Sequence, residues 1–369
     1  TNQFLVVSNI SPADASAVTG GNERVVRPRL ADAKFFFDQD RKKTLESRVT
    51  GLDKVVYHNK LGTQGERMAR VRAIARVIGQ QLGGETLAQA ADTAARLAKT
   101  DLLTDMVGEF PELQGIMGGY YARHDGLSED IAFAIEDHYK PRFAGDELPR
   151  NAVGVAVALA DKMETLVGMF GIGNLPSGDK DPFALRRHAL GVIRMLTEKD
   201  LPLDLGALVA GAVPAFGDRI ADASPALTDF IYDRLAGSLR EQGYSAQEVD
   251  AVLALRPQRL GQVGRLLAAV RAFAALPESP ALAAANKRIG NILKKAGDVD
   301  AHVNPKLLQE PAEQQLFAAM QRFVPEANAQ FESGDYTTSL QTLAVLHSAV
   351  DAFFDDVMVN AEEMDLRLN

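Results

Sequence analysis

From about Pro28 to its end the sequence spaces its apolar residues three and four apart, as at Met68, Val71, Ala75, Ile78 and Leu82. That spacing is the stripe of an amphipathic helix, so the chain must fold mainly by packing helices against one another. Alanine-rich segments at 86–99, 151–160, 266–275 and 281–285 point the same way, because alanine is the strongest helix former. One run departs from the pattern. Phe4–Ile10 is short, rich in β-formers and closed by Ser11-Pro12, which predicts a buried strand ended by a turn. No second convincing strand follows. The expected fold is mainly α and multi-domain, with a short α/β remnant at the N-terminus. At 369 residues with 46% apolar side chains, the chain has material for two or three packed units. Because it begins at Thr1 rather than Met, directly before the strand-like run, it is expected to be a piece of a longer protein.

Punctuation divides the helical part. Gly171–Gly178 is a loop by its glycine and proline density, and Asp181 followed by Pro182 predicts a helix start, with Asp as the cap and Pro at the first helical position. The face Leu185, Ala189, Val192 and Leu196 of that helix is apolar, and Arg186, Arg187 and Arg194 fall beside it. Ser279-Pro280 repeats the start signal. Leu282, Ala285, Ile289, Ile292 and Leu293 then form one apolar face, while Lys287 and Lys294, like Arg288 and Lys295, are seven apart and share a side. Charge follows the same division. The formal net of −9 counts against a nucleic-acid partner if taken as an average. Residues 296–369, however, hold 3 basic and 13 acidic side chains, whereas residues 234–295 hold 10 basic and 4 acidic. The second segment can face phosphate.

Composition and motifs restrict the chemistry. With no cysteine there are no disulfides, thiolate metal sites or cysteine nucleophile, which fits a reducing, cytoplasmic setting. Neither a membrane span nor a signal-peptide pattern is present. Asp101 and Asp161 each follow apolar residues at helical spacing and so project from apolar helical faces. Such carboxylates either take hydrogen bonds from a helix end or an arginine, or pair to bind a metal or do acid–base work. The six histidines form no HExxH motif and no pair three or four apart, so zinc has no local helical pair; the nearest cluster is His124-Asp125 with His138. Lys180, Arg186 and Arg187 surround an expected helix N-terminus, which favours phosphate, and Lys287, Arg288, Lys294 and Lys295 line another helix. These basic groups are either solvated faces or RNA contacts.

Several runs are recognisable as strings: Asn22–Phe37, Asp101–Val107, Glu109–Gly118, His138-Tyr139 with Pro141–Asp146, Asp179–Arg187 and Ala284–Arg288. In that order, across nearly the whole chain, they resemble the β-subunit family of bacterial heterotetrameric glycyl-tRNA synthetases. The resemblance implies a subunit that binds tRNA(Gly) and lacks the adenylate-forming centre, with ATP and Mg²⁺ on a separate α subunit and a tetramer of two α and two β chains. This chain itself would have no catalytic residues, no metal and no cofactor. The organisation it implies is the end of an N-terminal body over 1–52, a degenerate HD-type helical domain over 53–200, a helical linker over 201–278 and part of an anticodon-binding helical bundle over 279–369.

An HD hydrolase holds its metal with a His, a His-Asp pair and a later Asp. In this resemblance the pair falls on Thr100-Asp101, the later Asp on Asp161 and the first His near Arg67. Both histidines are therefore replaced, which implies a dead centre with Asp101 and Asp161 kept as structural anions and Arg67 as their expected partner. The RNA contacts expected are Lys180, Arg186, Arg187, Lys287, Arg288 and Lys294. A rival of another class is a metal-dependent phosphohydrolase rebuilt around Asp101, Asp161, His124 and His138; a third is an architectural scaffold for the α subunit.

Overall fold

The structure, a computed structural model, describes residues 3–296 and 302–359. Its helices are α1 (Ser16–Asp40), α2 (Leu45–Arg48), α3 (Gln64–Leu97), α4 (Asp105–Glu109), α5 (Ile116–His124), α6 (Glu129–Asp137), α7 (Ala152–Gly171) and α8 (Leu185–Glu198). They continue as α9 (Leu205–Ala212), α10 (Ser224–Glu241), α11 (Ala246–Leu253), α12 (Val263–Ala274), α13 (Ser279–Ala296), α14 (Pro311–Glu332), α15 (Tyr336–Ala344) and α16 (His347–Asp356). The fold is mainly α, as the apolar spacing predicts. Among the described residues the sheet is confined to β1 (Val56–His58) and β2 (Gly62–Thr63), an antiparallel pair.

Two expectations fail locally. Phe4–Ile10 forms no strand, and Leu5 and Val7 are fully exposed. A strand needs a neighbour to complete its hydrogen bonds, and among the described residues none lies beside this run. The helix expected from Pro182 begins instead at Leu185, because Ala184 takes a left-handed φ of 54°. Asp181 still caps it, from four residues upstream: its carboxylate accepts the backbone N–H groups of Leu185 (2.8 Å) and Arg186 (3.0 Å).

The chain divides into two compact units, one of residues 1–195 and 202–231 and one of residues 196–201 and 232–369. The first is organised around α7, where every residue from Val153 to Phe170 is buried. A helix apolar on all sides has no solvent face and belongs at the centre of a bundle. Its main partner is α3, with α6 and α9 also against it. α3 starts at a capping box, in which Glu66 N–H donates to Thr63 Oγ1 and Thr63 N–H to Glu66 Oε2. It breaks at Gly83-Gly84, and Gly84 has a φ of 71° that favours glycine. The segments on either side approach so closely that a Cβ on Gly79 would stand 2.7 Å from Ala88 Cα.

In the second unit α15 packs against α12 and α14, and α16 against α13 and α14. Leu266, Leu267, Ala312, Ala327, Tyr336 and Ala344 are buried there. Ser339 Oγ donates to the Ala327 carbonyl across this core (2.8 Å). Among the described residues, no single helix is long and apolar enough to cross a membrane.

Candidate functional site

The central helix α7 carries charges that an apolar core cannot leave alone. Asp161, Lys162 and Glu164 are all buried, Glu164 completely. Desolvating an unpaired charge costs several kcal/mol, and α3 meets that demand from one side. Arg67 Nη2 contacts Asp161 Oδ1 at 3.1 Å and Thr165 Oγ1 at 2.9 Å, and its Nε donates to Glu164 Oε2 at 3.0 Å. Arg70 Nε donates to the other Glu164 oxygen, Oε1, at 2.8 Å. Lys99, just after α3, places Nζ 3.1 Å from Asp161 Oδ1 and 3.9 Å from the centre of the Tyr139 ring. Arg67 lies over Tyr57 at 4.4 Å and Arg70 over Phe216 at 5.0 Å, so aromatic faces cover both guanidiniums.

These contacts set the charge states. Burial alone would raise the Asp161 carboxyl, but Arg67 and Lys99 outweigh it and hold the group well below the usual carboxylate range. Burial pushes Lys99 down to about 8 in spite of Asp161. Lys162 falls to about 8 for the same reason. Among the described residues Lys162 has no carboxylate in contact; its Nζ donates to the backbone carbonyls of Tyr139 (3.2 Å) and Lys140 (2.8 Å).

Asp101 stands apart from this network. Its Oδ2 accepts the backbone N–H groups of Gly115 (2.5 Å) and Gly118 (3.1 Å), the latter in the first turn of α5. Burial raises its carboxyl to about 6 against those bonds, and Oδ1 is buried without a partner. His138 is likewise buried. Its Nδ1 donates to the Ile135 carbonyl (2.5 Å) and Nε2 has no partner, and burial holds the imidazole neutral, well below its usual value. Thr100 Oγ1 donates to the Leu97 carbonyl at 2.6 Å.

A divalent metal does not fit this donor set. Arg67 and Thr100 supply no imidazole, and Asp161 Oδ1 already faces a guanidinium and an ammonium. The rival site built on Asp101, Asp161, His124 and His138 is not assembled. His124 is exposed and tied to Arg41, accepting from its Nε at 3.2 Å and donating to its carbonyl at 3.1 Å. Among the described residues no three His, Cys, Asp or Glu side chains converge.

The expected phosphate contacts fall into both units. Lys180, Arg186 and Arg187 belong to the first; Lys287, Arg288 and Lys294 belong to the second, where Lys287 and Lys294 are exposed and Arg288 lies over Phe354 at 4.2 Å. The side chain of Lys295 lies outside the described residues. Lys180 is exposed, and Arg186 donates to the Gly178 carbonyl. Arg187 lines a cleft of about 420 Å³ that also includes Lys162 and His188. Sequence reasoning missed Arg70, Lys99, Lys162 and Glu164. A signal was present for the last two: Asp161-Lys162 and Glu164 interrupt an otherwise uncharged run from Ala152 to Gly171.

Comparison with known proteins bears on the whole chain. A family model described as glycyl-tRNA synthetase beta subunit matches residues 1–254, and one described as DALR anticodon binding domain matches residues 282–369. The glycine–tRNA ligase beta subunit of Paracidovorax citrulli is 79% identical over all of this chain, and that of Polaromonas naphthalenivorans is 78% identical. The chain spans about half the length of the curated relatives it matches, 52% of each of these two. With one family model covering well over half of the residues and this level of identity from end to end, the chain belongs to the glycyl-tRNA synthetase beta subunit family.

Proposed function

We propose that this chain is part of a tRNA-binding β subunit that does not itself form the aminoacyl adenylate. Glycine activation with ATP and Mg²⁺, and transfer to tRNA(Gly), then belong to a separate α subunit, in a cytoplasmic assembly of two α and two β chains. The observation that carries this is the succession along one chain of a β-subunit match over 1–254 and an anticodon-binding-domain match over 282–369. The ion-paired interior around Asp161 supports a binding role over catalysis, because Arg67, Arg70, Lys99, Asp161 and Glu164 are spent on one another.

Phosphate contacts supply most of the affinity of such a protein for RNA. Lys180 and Arg186 in the first unit, and Lys287, Arg288 and Lys294 in the second, are assigned to them; Arg187 is assigned to the cleft. Replacing Lys287 and Lys294 by Ala in the full-length subunit is expected to weaken tRNA(Gly) binding. It should also reduce the slope of log affinity against log salt by about 2, roughly one per lysine. Glycyl-adenylate formation by the assembled enzyme should not change. An unaltered salt slope removes both lysines from the contact set, and loss of adenylate formation in the same variant contradicts the division of labour.

A further inference from the structure

We infer that the cleft bounded by Lys162, Arg187 and His188 is a binding site for a phosphomonoester of nucleotide size. The inference stands on the cleft alone and does not depend on the tRNA-binding role. A volume of about 420 Å³ lies within the range of small-ligand sites, roughly 300–1,000 Å³. It admits one nucleotide and is too small for a strand.

Four cations line it, but two are already neutralised. Lys140 lies 3.1 Å from both Asp137 and Glu147, and Arg142 makes a two-pronged contact with Asp146 at 2.9 and 3.1 Å. Among the described residues, Lys162 and Arg187 have no carboxylate partner. Lys162 is only 2% exposed, and its two bonds to carbonyl oxygens leave one N–H for the cleft. The surrounding interior does not balance it: Asp161 and Glu164 are engaged by Arg67, Arg70 and Lys99, and Asp101 by backbone N–H groups. A buried ammonium without a counter-charge is costly, and an anion entering beside it recovers that cost.

The pairing of an ammonium with a guanidinium suits the two charges and several acceptor oxygens of a terminal phosphate. His188, held neutral by burial and by Lys162, with its pKa lowered to about 3, adds a hydrogen bond without charge. Two carboxylates also line the cleft. Glu136 is engaged by Arg150 at 2.9 Å, while Glu112 is exposed and available to accept from a hydroxyl or amino group of the same ligand. The site binds; no bond is made or broken there, since the lining holds no Ser, Thr or Cys side chain as nucleophile and Glu136 is engaged by Arg150.

The test is calorimetric titration of the full-length chain, without other subunits, with AMP, inorganic phosphate and adenosine at pH 7. AMP and phosphate are expected to saturate one site and adenosine to show no binding. Arg187→Ala, at an exposed position, should weaken AMP at least tenfold, as should Lys162→Met; the melting temperatures of both are measured in parallel. Lys43→Ala, at an exposed position outside the cleft, should leave AMP affinity unchanged. Affinity should fall as pH rises through 8, where Lys162 loses its proton. No saturable binding at millimolar AMP overturns the proposal, as does equal binding of AMP and adenosine or indifference to Arg187→Ala. Loss of tRNA affinity with AMP affinity intact in these variants also overturns it, by assigning the cleft to RNA.

Discussion

Asp161→Asn isolates what the buried network does for folding. The replacement keeps the size of the side chain and removes the one charge that Arg67 and Lys99 share at Oδ1, each at 3.1 Å. Arg67 retains Glu164, but Lys99 loses the carboxylate it contacts and keeps at most a neutral amide oxygen and the Tyr139 ring beside it. Removing one partner of a buried ion pair typically costs about 3–5 kcal/mol, because the remaining charge keeps its desolvation penalty. For a unit of this size each kcal/mol shifts the melting temperature by about 2–4 °C, so a drop of roughly 6–20 °C is expected. The assay is thermal unfolding followed by far-ultraviolet circular dichroism at pH 7. Lys99→Met combined with Asp161→Asn should lose less than the sum of the single variants, since it removes the stranded ammonium as well. A shift below about 2 °C for Asp161→Asn would refute the reasoning, for it would place the carboxylate in a solvated setting where such a pair is worth about 0–1 kcal/mol.

Other expectations follow from the same interior. Acid should weaken the first unit early: the folded-state values of His138 and His188 are depressed, so their contribution is complete above about 6.5 and is lost as pH falls below it, for His188 toward about 3, because the unfolded chain takes protons the folded one refuses. Asp101, raised to about 6, opposes this between about 3.8 and 6, and His188→Gln should therefore flatten the melting temperature measured from pH 6.5 down to 4. Asp101→Asn should differ in kind from Asp161→Asn, since the amide oxygen still accepts from Gly115 and Gly118 while a partly unsatisfied buried charge is removed; its melting temperature at pH 8 should equal or exceed that of the parent. Gly79→Ala should cost several degrees of melting temperature, because the new methyl would meet the backbone of Ala88 at 2.7 Å and force the two limbs of α3 apart.

The helices were legible because their signal is local. A stripe such as Met68, Val71, Ala75, Ile78 and Leu82 names a buried face without naming its neighbour, and the burial of Val71, Ala75 and Ile78 agrees with it. Asp181 was legible as a cap, but the left-handed turn at Ala184 that delays the helix leaves no mark in a sequence where alanine is expected to continue a helix. Phe4–Ile10 shows the converse limit, since β-forming side chains describe a strand only where another strand lies alongside. The site divides in the same way. Asp101 and Asp161 could be picked out as charges on apolar faces, whereas Arg70 and Lys99 could not, because Glu164 is 94 residues from Arg70 and a contact at that separation is settled by how α3 lies against α7.

One feature of α7 also constrains how the protein can move. Consecutive residues on a helix point about 100° apart. Asp161 is held by cations from α3 and its C-terminal end, while Lys162 is tied to the carbonyls of Tyr139 and Lys140, after α6. Two adjacent side chains are thus anchored to different parts of the bundle, like a shaft with two keys, so neither a twist nor a one-residue slide of α7 can preserve both. The helix is denied the small register adjustments by which packed helices usually transmit motion. Its amides should exchange with solvent only when the whole unit opens, and any conformational change in this half of the chain must pivot around α7.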